Sequence, residues 1–225
     1  MEKEKESLKI LVSGARRELG KTTLALNLAL GFSQLGYQTF LLDIDPSHSE
    51  NHLEALKLES AGVDYIQSPG DYNKLLNQSR FGAQVIIIDP GRLVNFSKPG
   101  LVQIDIPIIV STSQLYSLTE SYAFAKMLAV SLGLAEVFLV VNRVRGKAEA
   151  LERLKPLFQV SERFFSGRLN FLGLVSEVGR KRKRKGFPLL SSECGERFNR
   201  EVFEILKKIQ KEVWGGDFFL KKEVK

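Results

Sequence analysis

The segment 13–23 contains the residue types that bind phosphate groups. It reads Ser-Gly-Ala-Arg-Arg-Glu-Leu-Gly-Lys-Thr-Thr, follows the apolar run 8–12 and leads into a helical pattern that begins at Thr22. Unpaired N–H groups at a helix N-terminus attract anions, and Gly20 allows the backbone to approach a phosphate closely. Lys21 would reach the β- and γ-phosphates of a nucleotide, and the Thr22 hydroxyl would hold Mg²⁺. The order of strand, Gly-Lys-Thr turn and helix therefore predicts a phosphate-binding loop.

This loop departs from the usual spacing of Gly, four residues, Gly-Lys-Thr. Counting back from Gly20 puts Ala15, not a glycine, at the first position. Arg16, Arg17 and Glu18 occupy the middle of the loop, where small residues are usual. A carboxylate at Glu18 would repel phosphate unless it turned away, and a left-handed conformation there would cost roughly 1–2 kcal/mol. Two alternatives stay open: a loop that binds nucleotide but hydrolyses it poorly, and a turn that contains Gly-Lys-Thr by chance.

Polar side chains follow three other predicted strands. Asp43 and Asp45 follow one apolar run, Asp89 ends an isoleucine-rich second run, and Asn142 and Arg143 follow a third. Because the carboxyl ends of parallel strands meet at one edge of a sheet, we expect these groups to face the loop. Asp89 would hold a Mg²⁺-bound water, unless it is only a turn or helix-capping aspartate. Asp45 could orient an attacking water, Asp43 would make structural hydrogen bonds, and the Asn142 amide could read an adenine edge.

The elements that must position these residues alternate along the chain. Strands are predicted at 8–12, 39–42, 63–66, 85–88, 106–110, 137–141 and 170–175, several of them continuously apolar. Helices are predicted at 22–35, 117–132, 147–160 and 196–214. Gly36 and Gly133 should end the first two, and Pro156 should bend or break the third. The alternation implies a three-layer, doubly wound α/β fold with a mainly parallel sheet and P-loop topology. Without a repeat or low-complexity linker, one domain is expected over 1–225, with a flexible leader at 1–7 and a tail at 215–225.

Composition limits the class of protein. The 225 residues are 44% hydrophobic and 26% charged, with a net charge of +7, which is typical of a soluble globular chain. Cys194 is the one cysteine, which excludes a disulfide framework and fits a reducing compartment. We recognise no signal sequence and no membrane-spanning run, so a cytoplasmic protein is expected. His48 and His52 could share a metal on one helical face, but a solvated helix start is the simpler interpretation.

Together these segments resemble the MinD/ParA family of P-loop ATPases, the SIMIBI-type proteins with a deviant Walker A loop. Residues 20–23 resemble the end of the family's Lys-Gly-Gly-Val-Gly-Lys-Thr-Thr loop, and residues 41–46 resemble its Asp-x-Asp switch. Residues 86–90 resemble its Walker B strand, and residues 140–144 resemble its adenine-recognition strand. The stretches 171–175 and 186–188 are similar to the family's late strand and the following turn. Ser-Leu-Thr-Glu-Ser-Tyr-Ala at 117–123 is similar to the flagellar, FlhG-like branch.

The resemblance implies an ATPase that binds ATP or ADP with Mg²⁺, dimerises around two nucleotides, and positions something at a cell pole, membrane or flagellar base. It places nucleotide contacts at Arg17, Glu18, Leu19, Gly20, Lys21, Thr22, Thr23, Asn142 and Arg143, Mg²⁺ ligands at Thr22 and Asp89, and catalytic roles at Lys21, Asp45 and Arg16. Arg16 stands at the position of the family's signature lysine, which reaches the partner's phosphates. An arginine could still stabilise charge there.

Two further features concern partners. Arg180–Lys185 is a run of six cations, which could attract DNA, anionic lipid or an acidic protein, or could form a solvated loop. Phe218, Phe219 and Leu220 lie beside two lysines and could insert weakly into a membrane, more strongly from a dimer. The alternatives to an ATP-dependent switch are a non-hydrolysing nucleotide-binding scaffold and a ParA-like protein that binds DNA non-specifically.

Overall fold

The chain folds as a sheet between two layers of helices. The structure is a computed structural model that describes residues 7–44, 58–67, 82–91, 103–178 and 196–214. Its strands are β1 (Leu8–Ser13), β2 (Thr39–Asp43), β3 (Val63–Gln67), β4 (Val85–Asp89), β5 (Ile106–Thr112), β6 (Glu136–Val144) and β7 (Arg168–Ser176). Its long helices are α1 (Lys21–Gln34), α2 (Leu115–Leu132), α3 (Lys147–Phe164) and α4 (Glu196–Trp214). Each predicted strand and helix is confirmed, with shifts of a few residues at the ends.

The order of the strands places β1 at the centre of the sheet. The order is β3-β2-β4-β1-β5-β6-β7, and every pairing is parallel. The chain moves from β1 to β2 on one side, and later places β5, β6 and β7 on the other. Ligands bind at such a switch point, outside the carboxyl ends of the strands. The predicted doubly wound α/β fold is confirmed, and it brings the segment after β1 to the switch point.

The side chains of the central strands alternate between two cores. Ile10 and Val12 point to the face covered by α1 and α4, whereas Leu11 points to the face covered by α2 and α3. Because both faces are covered, the central strands have no solvent-facing side and read as continuous apolar runs. On the α4 side, Gly173 is required for close packing, since a Cβ there would lie 2.7 Å from Ile205 Cγ1.

Pro156 was predicted to bend or break the third helix, and it does not break it. The helix α3 continues through Pro156 to Phe164. Proline removes one backbone hydrogen bond, but its exposed position lets water reach the freed carbonyl, and buried Ala150 and Leu154 hold the helix on the sheet. None of the helices within the described ranges combines the length and the apolar character needed to cross a bilayer.

A buried carboxylate joins three elements beside the carboxyl end of β7. Glu201 of α4 is 5% exposed. Its oxygens lie 2.8 Å from Lys147 Nζ at the start of α3 and 3.2 Å from Arg197 Nε, and they accept hydrogen bonds from the N–H and hydroxyl of Ser176 at 2.7 and 2.8 Å. Burial alone would raise the pKa of Glu201, but these donors outweigh burial and lower it. The carboxylate therefore fixes α3 and α4 against the end of β7.

Candidate functional site

The segment between β1 and α1 has the backbone of a loop closed by a glycine. Gly20 caps α1 with φ 89° and ψ 26°, in the left-handed region, and its carbonyl accepts the first helical hydrogen bond from Leu24 at 2.9 Å. At the other end of the loop, a Cβ on Gly14 would lie 2.8 Å from the Val110 carbonyl oxygen. Leu19 anchors the loop in the core at 2% exposure. The first N–H groups of α1 therefore lie at the centre of the sheet edge, where a phosphate would find unpaired donors.

Lys21 lies over this loop. It is only 8% exposed, and its Nζ donates a hydrogen bond to the Arg16 carbonyl oxygen at 2.7 Å. A buried ammonium requires hydrogen-bond acceptors, and phosphate oxygens are such acceptors. Thr22 and Thr23 are partly exposed in the first turn of α1. The Thr22 hydroxyl is an oxygen donor of the kind that Mg²⁺ prefers.

The middle of the loop is strained at Glu18. Glu18 has φ 60°, one of two positive values among non-glycine residues in the described part of the chain. Such a conformation costs a residue with a Cβ roughly 1–2 kcal/mol. Arg17 and Glu18 are both exposed, so their side chains do not fill the loop from inside. The loop therefore keeps its shape despite the bulky residues that replace the usual small ones.

Two acids end neighbouring strands next to this loop. Asp43 and Asp89 lie side by side, because β2 and β4 pair with these residues in register, and they are 4% and 1% exposed. Asp43 Oδ2 accepts a hydrogen bond from the Tyr65 hydroxyl at 3.3 Å, which agrees with the structural role expected for Asp43. Asp89 Oδ1 accepts a hydrogen bond from the Gly91 N–H at 3.2 Å, which is a turn contact. Asp89 itself ends β4, the strand adjacent to β1. The carboxylate oxygens of Asp89 suit a hard cation.

Arg16 lies against the first turns of α2. Its Nε is 3.4 Å from Glu120 Oε2, and its guanidinium carbon is 5.2 Å from the centroid of the Tyr116 ring. The Tyr116 hydroxyl hydrogen-bonds to Glu120, and this bond raises the pKa of Tyr116. The Arg16 carbonyl oxygen also accepts a hydrogen bond from Lys21, so both the backbone and the side chain of Arg16 have partners. The predicted role of Arg16 across a dimer stays a prediction.

Asn142 at the end of β6 contacts the loop directly. Its Nδ2 donates a hydrogen bond to the Leu19 carbonyl at 2.9 Å, and its Oδ1 accepts one from the Arg143 N–H at 2.8 Å. Arg143 is exposed and has φ 56°. The predicted contact of Asn142 with an adenine edge stays a prediction. In the structure, one hydrogen of the Asn142 amide is donated to the loop.

Several predicted residues lie outside the described ranges. These are Asp45 of the predicted Asp-x-Asp switch, the histidines His48 and His52, the basic run Arg180–Lys185, the turn 186–188, Cys194 and the tail 215–225. Their predicted roles stay predictions.

Sequence reasoning missed the contribution of α2. Glu120 and Tyr116 contact Arg16, yet the stretch 117–123 was noted only for its resemblance to the flagellar branch. Their spacing of four residues puts them on one face of a helix, which is a usable signal. The distance between this face of α2 and the loop before α1 could not be predicted from the sequence. Tyr65, the partner of Asp43, was missed for the same reason.

Known proteins share this fold. A putative plasmid partition protein of Borrelia burgdorferi, solved with AMPPNP, matches with a TM-score of 0.67 and 20% identity over 93% of this chain and 100% of that chain. The MinC:MinD complex of Aquifex aeolicus matches with a TM-score of 0.62 and 16% identity over 91% and 96%. MinD of Pyrococcus horikoshii with Mg-ADP matches with a TM-score of 0.61 and 17% identity over 92% and 96%. At these identities the likeness shows the fold.

Sequence comparison gives the family. No curated protein matches the sequence significantly. The profile of the CobQ/CobB/MinD/ParA nucleotide binding domain matches residues 10–185, which include the loop, both strand-end acids and Asn142. Because this match spans most of the chain, it leads to one conclusion: this chain belongs to the CobQ/CobB/MinD/ParA family of nucleotide-binding domains.

Proposed function

We propose that this protein is a MinD-like ATPase, in which bound ATP drives two protomers together and slow hydrolysis separates them. The observation that supports it most is the placement of Lys21, nearly buried and bonded to the Arg16 carbonyl inside the loop that precedes α1. The relatives solved with AMPPNP and with Mg-ADP support an adenine nucleotide as the ligand.

Each site residue has a role in this proposal. Lys21 leaves the Arg16 carbonyl and binds the β- and γ-phosphates, whose oxygens offer it a stronger, charge-assisted hydrogen bond. Thr22 and Asp89 offer oxygen ligands to Mg²⁺, which neutralises phosphate charge when bound. Asp45 orients the attacking water. Arg16 completes the site of the partner protomer.

The test is calorimetric titration with ATP and ADP in the presence of Mg²⁺, together with the mass of the oligomer. We expect both nucleotides to bind, and a dimer to form with ATP only. Lys21→Ala should abolish binding of both, because it removes the charge that faces the phosphates. Lys155→Ala is the matched control, since Lys155 is an exposed lysine paired with Glu152 on α3. Unchanged ATP binding in Lys21→Ala would refute the assignment.

A non-hydrolysing scaffold is the second candidate. Two observations favour it: the strained Glu18 in the loop, and the contacts that keep Arg16 on its own protomer. A scaffold would bind ATP without turnover above background. Turnover that is lost in Asp45→Ala would exclude it.

Partners follow from the same proposal. The Aquifex aeolicus relative is solved as a MinC:MinD complex, and the Borrelia burgdorferi relative is named a plasmid partition protein. Residues 180–185 would support DNA or anionic-lipid binding, as in a ParA-like or a peripheral membrane protein, and the FlhG-like resemblance supports a flagellar role. Neutralising 181–185 should remove salt-sensitive DNA binding if DNA is the partner.

A further inference from the structure

We propose that Asn142 is a positioning residue of the phosphate loop. Its amide fixes the peptide between Leu19 and Gly20, so that the Gly20 N–H is held in the direction from which a phosphate is bound. This inference depends on the proposed function for its ligand, and on the described geometry alone for the contact itself.

The end of β6 is distorted at this residue. The β6–β7 pairing places Val141 opposite Leu174 but Val144 opposite Ser176, so β6 carries one extra residue at 142–143. A bulge of this kind redirects a side chain, and it is accompanied by the positive φ of Arg143. The Oδ1 of Asn142 accepts a hydrogen bond from the Arg143 N–H, which fixes the orientation of the amide. Strain that is retained in this way is typical of functional sites.

The redirected amide determines the orientation of one peptide of the loop. Its Nδ2 donates to the carbonyl of Leu19, a residue that is 2% exposed. In a trans peptide the carbonyl and the following N–H point in opposite directions. Holding the Leu19 carbonyl against Asn142 therefore turns the Gly20 N–H away from β6. The contact is so close that a Cβ on Gly20 would lie 2.1 Å from Nδ2.

The test compares ATP with inorganic tripolyphosphate, which has no base, both with Mg²⁺ and measured by calorimetry. In Asn142→Ala we expect both affinities to fall by the same factor, about tenfold, as expected for one hydrogen bond to a buried acceptor. Lys155→Ala is the control, because Lys155 is an exposed lysine paired with Glu152 on α3, and its removal should leave tripolyphosphate affinity unchanged. Unchanged tripolyphosphate affinity in Asn142→Ala, with or without a loss of ATP affinity, would overturn the proposal.

A ligand-free measurement separates this proposal from the proposed function. Hydrogen exchange of the segment 15–24 should be faster in Asn142→Ala and in Asn142→Asp, which keeps the acceptor for the Arg143 N–H but lacks the donor. Exchange in α4 should stay unchanged, as a control for global unfolding. If the wild type binds neither ligand, the proposed function fails, while faster exchange would still support the positioning role. Unchanged exchange of the segment in both variants would refute that role.

Discussion

The left-handed conformation of Glu18 makes the substitution Glu18→Gly a sharp test of the loop. The side chain is exposed, so its removal costs no packing, and φ 60° is a value that glycine adopts without strain. Relief of strain contributes roughly 1–2 kcal/mol, and the added freedom of glycine in the unfolded chain costs about 0.4–1 kcal/mol. The variant should therefore be more stable by about 0.5–1 kcal/mol.

The assay is thermal unfolding in the absence of nucleotide, with Arg17→Gly as the matched control. For a chain of this length, each kcal/mol shifts Tm by about 2–4 °C, so Glu18→Gly should raise Tm by about 1–4 °C. The φ of Arg17 is not positive, so glycine there relieves nothing and should lower the stability by about 0.4–1 kcal/mol. If both variants lowered Tm alike, the strain assigned to Glu18 would be wrong.

The charge of Glu18 is tested separately by ATP affinity. Glu18→Gln keeps a strained side chain but removes the carboxylate from the N-terminal side of α1. The carboxylate repels bound phosphates, and exposed pairs of charges interact by about 0.2–1 kcal/mol. ATP should therefore bind Glu18→Gln a few times more tightly. A loss of affinity would show that the carboxylate helps binding.

Three further predictions concern other contacts in the structure. Gly20→Ala should lose ATP binding by calorimetry and destabilise the fold by about 2 kcal/mol or more, since the new Cβ meets Asn142 and φ is 89°; wild-type affinity would contradict this. Glu201→Gln should cost about 2 kcal/mol at pH 7 in chemical unfolding. Because the folded pKa of Glu201 lies below the ordinary value of 4.5, this difference should persist down to about that pH and disappear as the pH falls further. A difference that grew in acid would refute the assignment. Glu120→Gln should loosen Arg16 and increase the ATP-bound dimer fraction a few-fold in sedimentation; a smaller fraction would show that Glu120 serves the dimer instead.

Local patterns in the sequence predicted the elements and the edge at which the site forms. The apolar runs before Ser13 and Asp89 defined strands that the structure confirms, because a strand covered on both faces needs no polar alternation. The glycine after α2 ended it as expected, with Gly133 at φ 64°. The break predicted as one outcome at Pro156 does not occur, because the packing of neighbouring residues on the sheet outweighs the low helix propensity of proline.

The contacts of the site could not be predicted from the sequence. The Asn142 amide meets the Leu19 carbonyl across 123 residues, and only the bulge at the end of β6 aims it there. The pairing of Arg16 with Glu120 depends likewise on where α2 starts after β5. Residue types indicate which groups can interact, but strand register and helix placement decide which of them meet.

The attachment of Arg16 to α2 has a consequence for how the protein would respond to its own concentration. A lone molecule satisfies its arginine internally, through a carboxylate and an aromatic ring. In the proposed dimer, the phosphates bound to the partner protomer would have to outcompete these internal contacts of Arg16, which are always present at high effective concentration. An activity that requires Arg16 to change partners in this way would be low in dilute solution and would rise more steeply than the protein concentration. Such a protein would respond to its own local concentration.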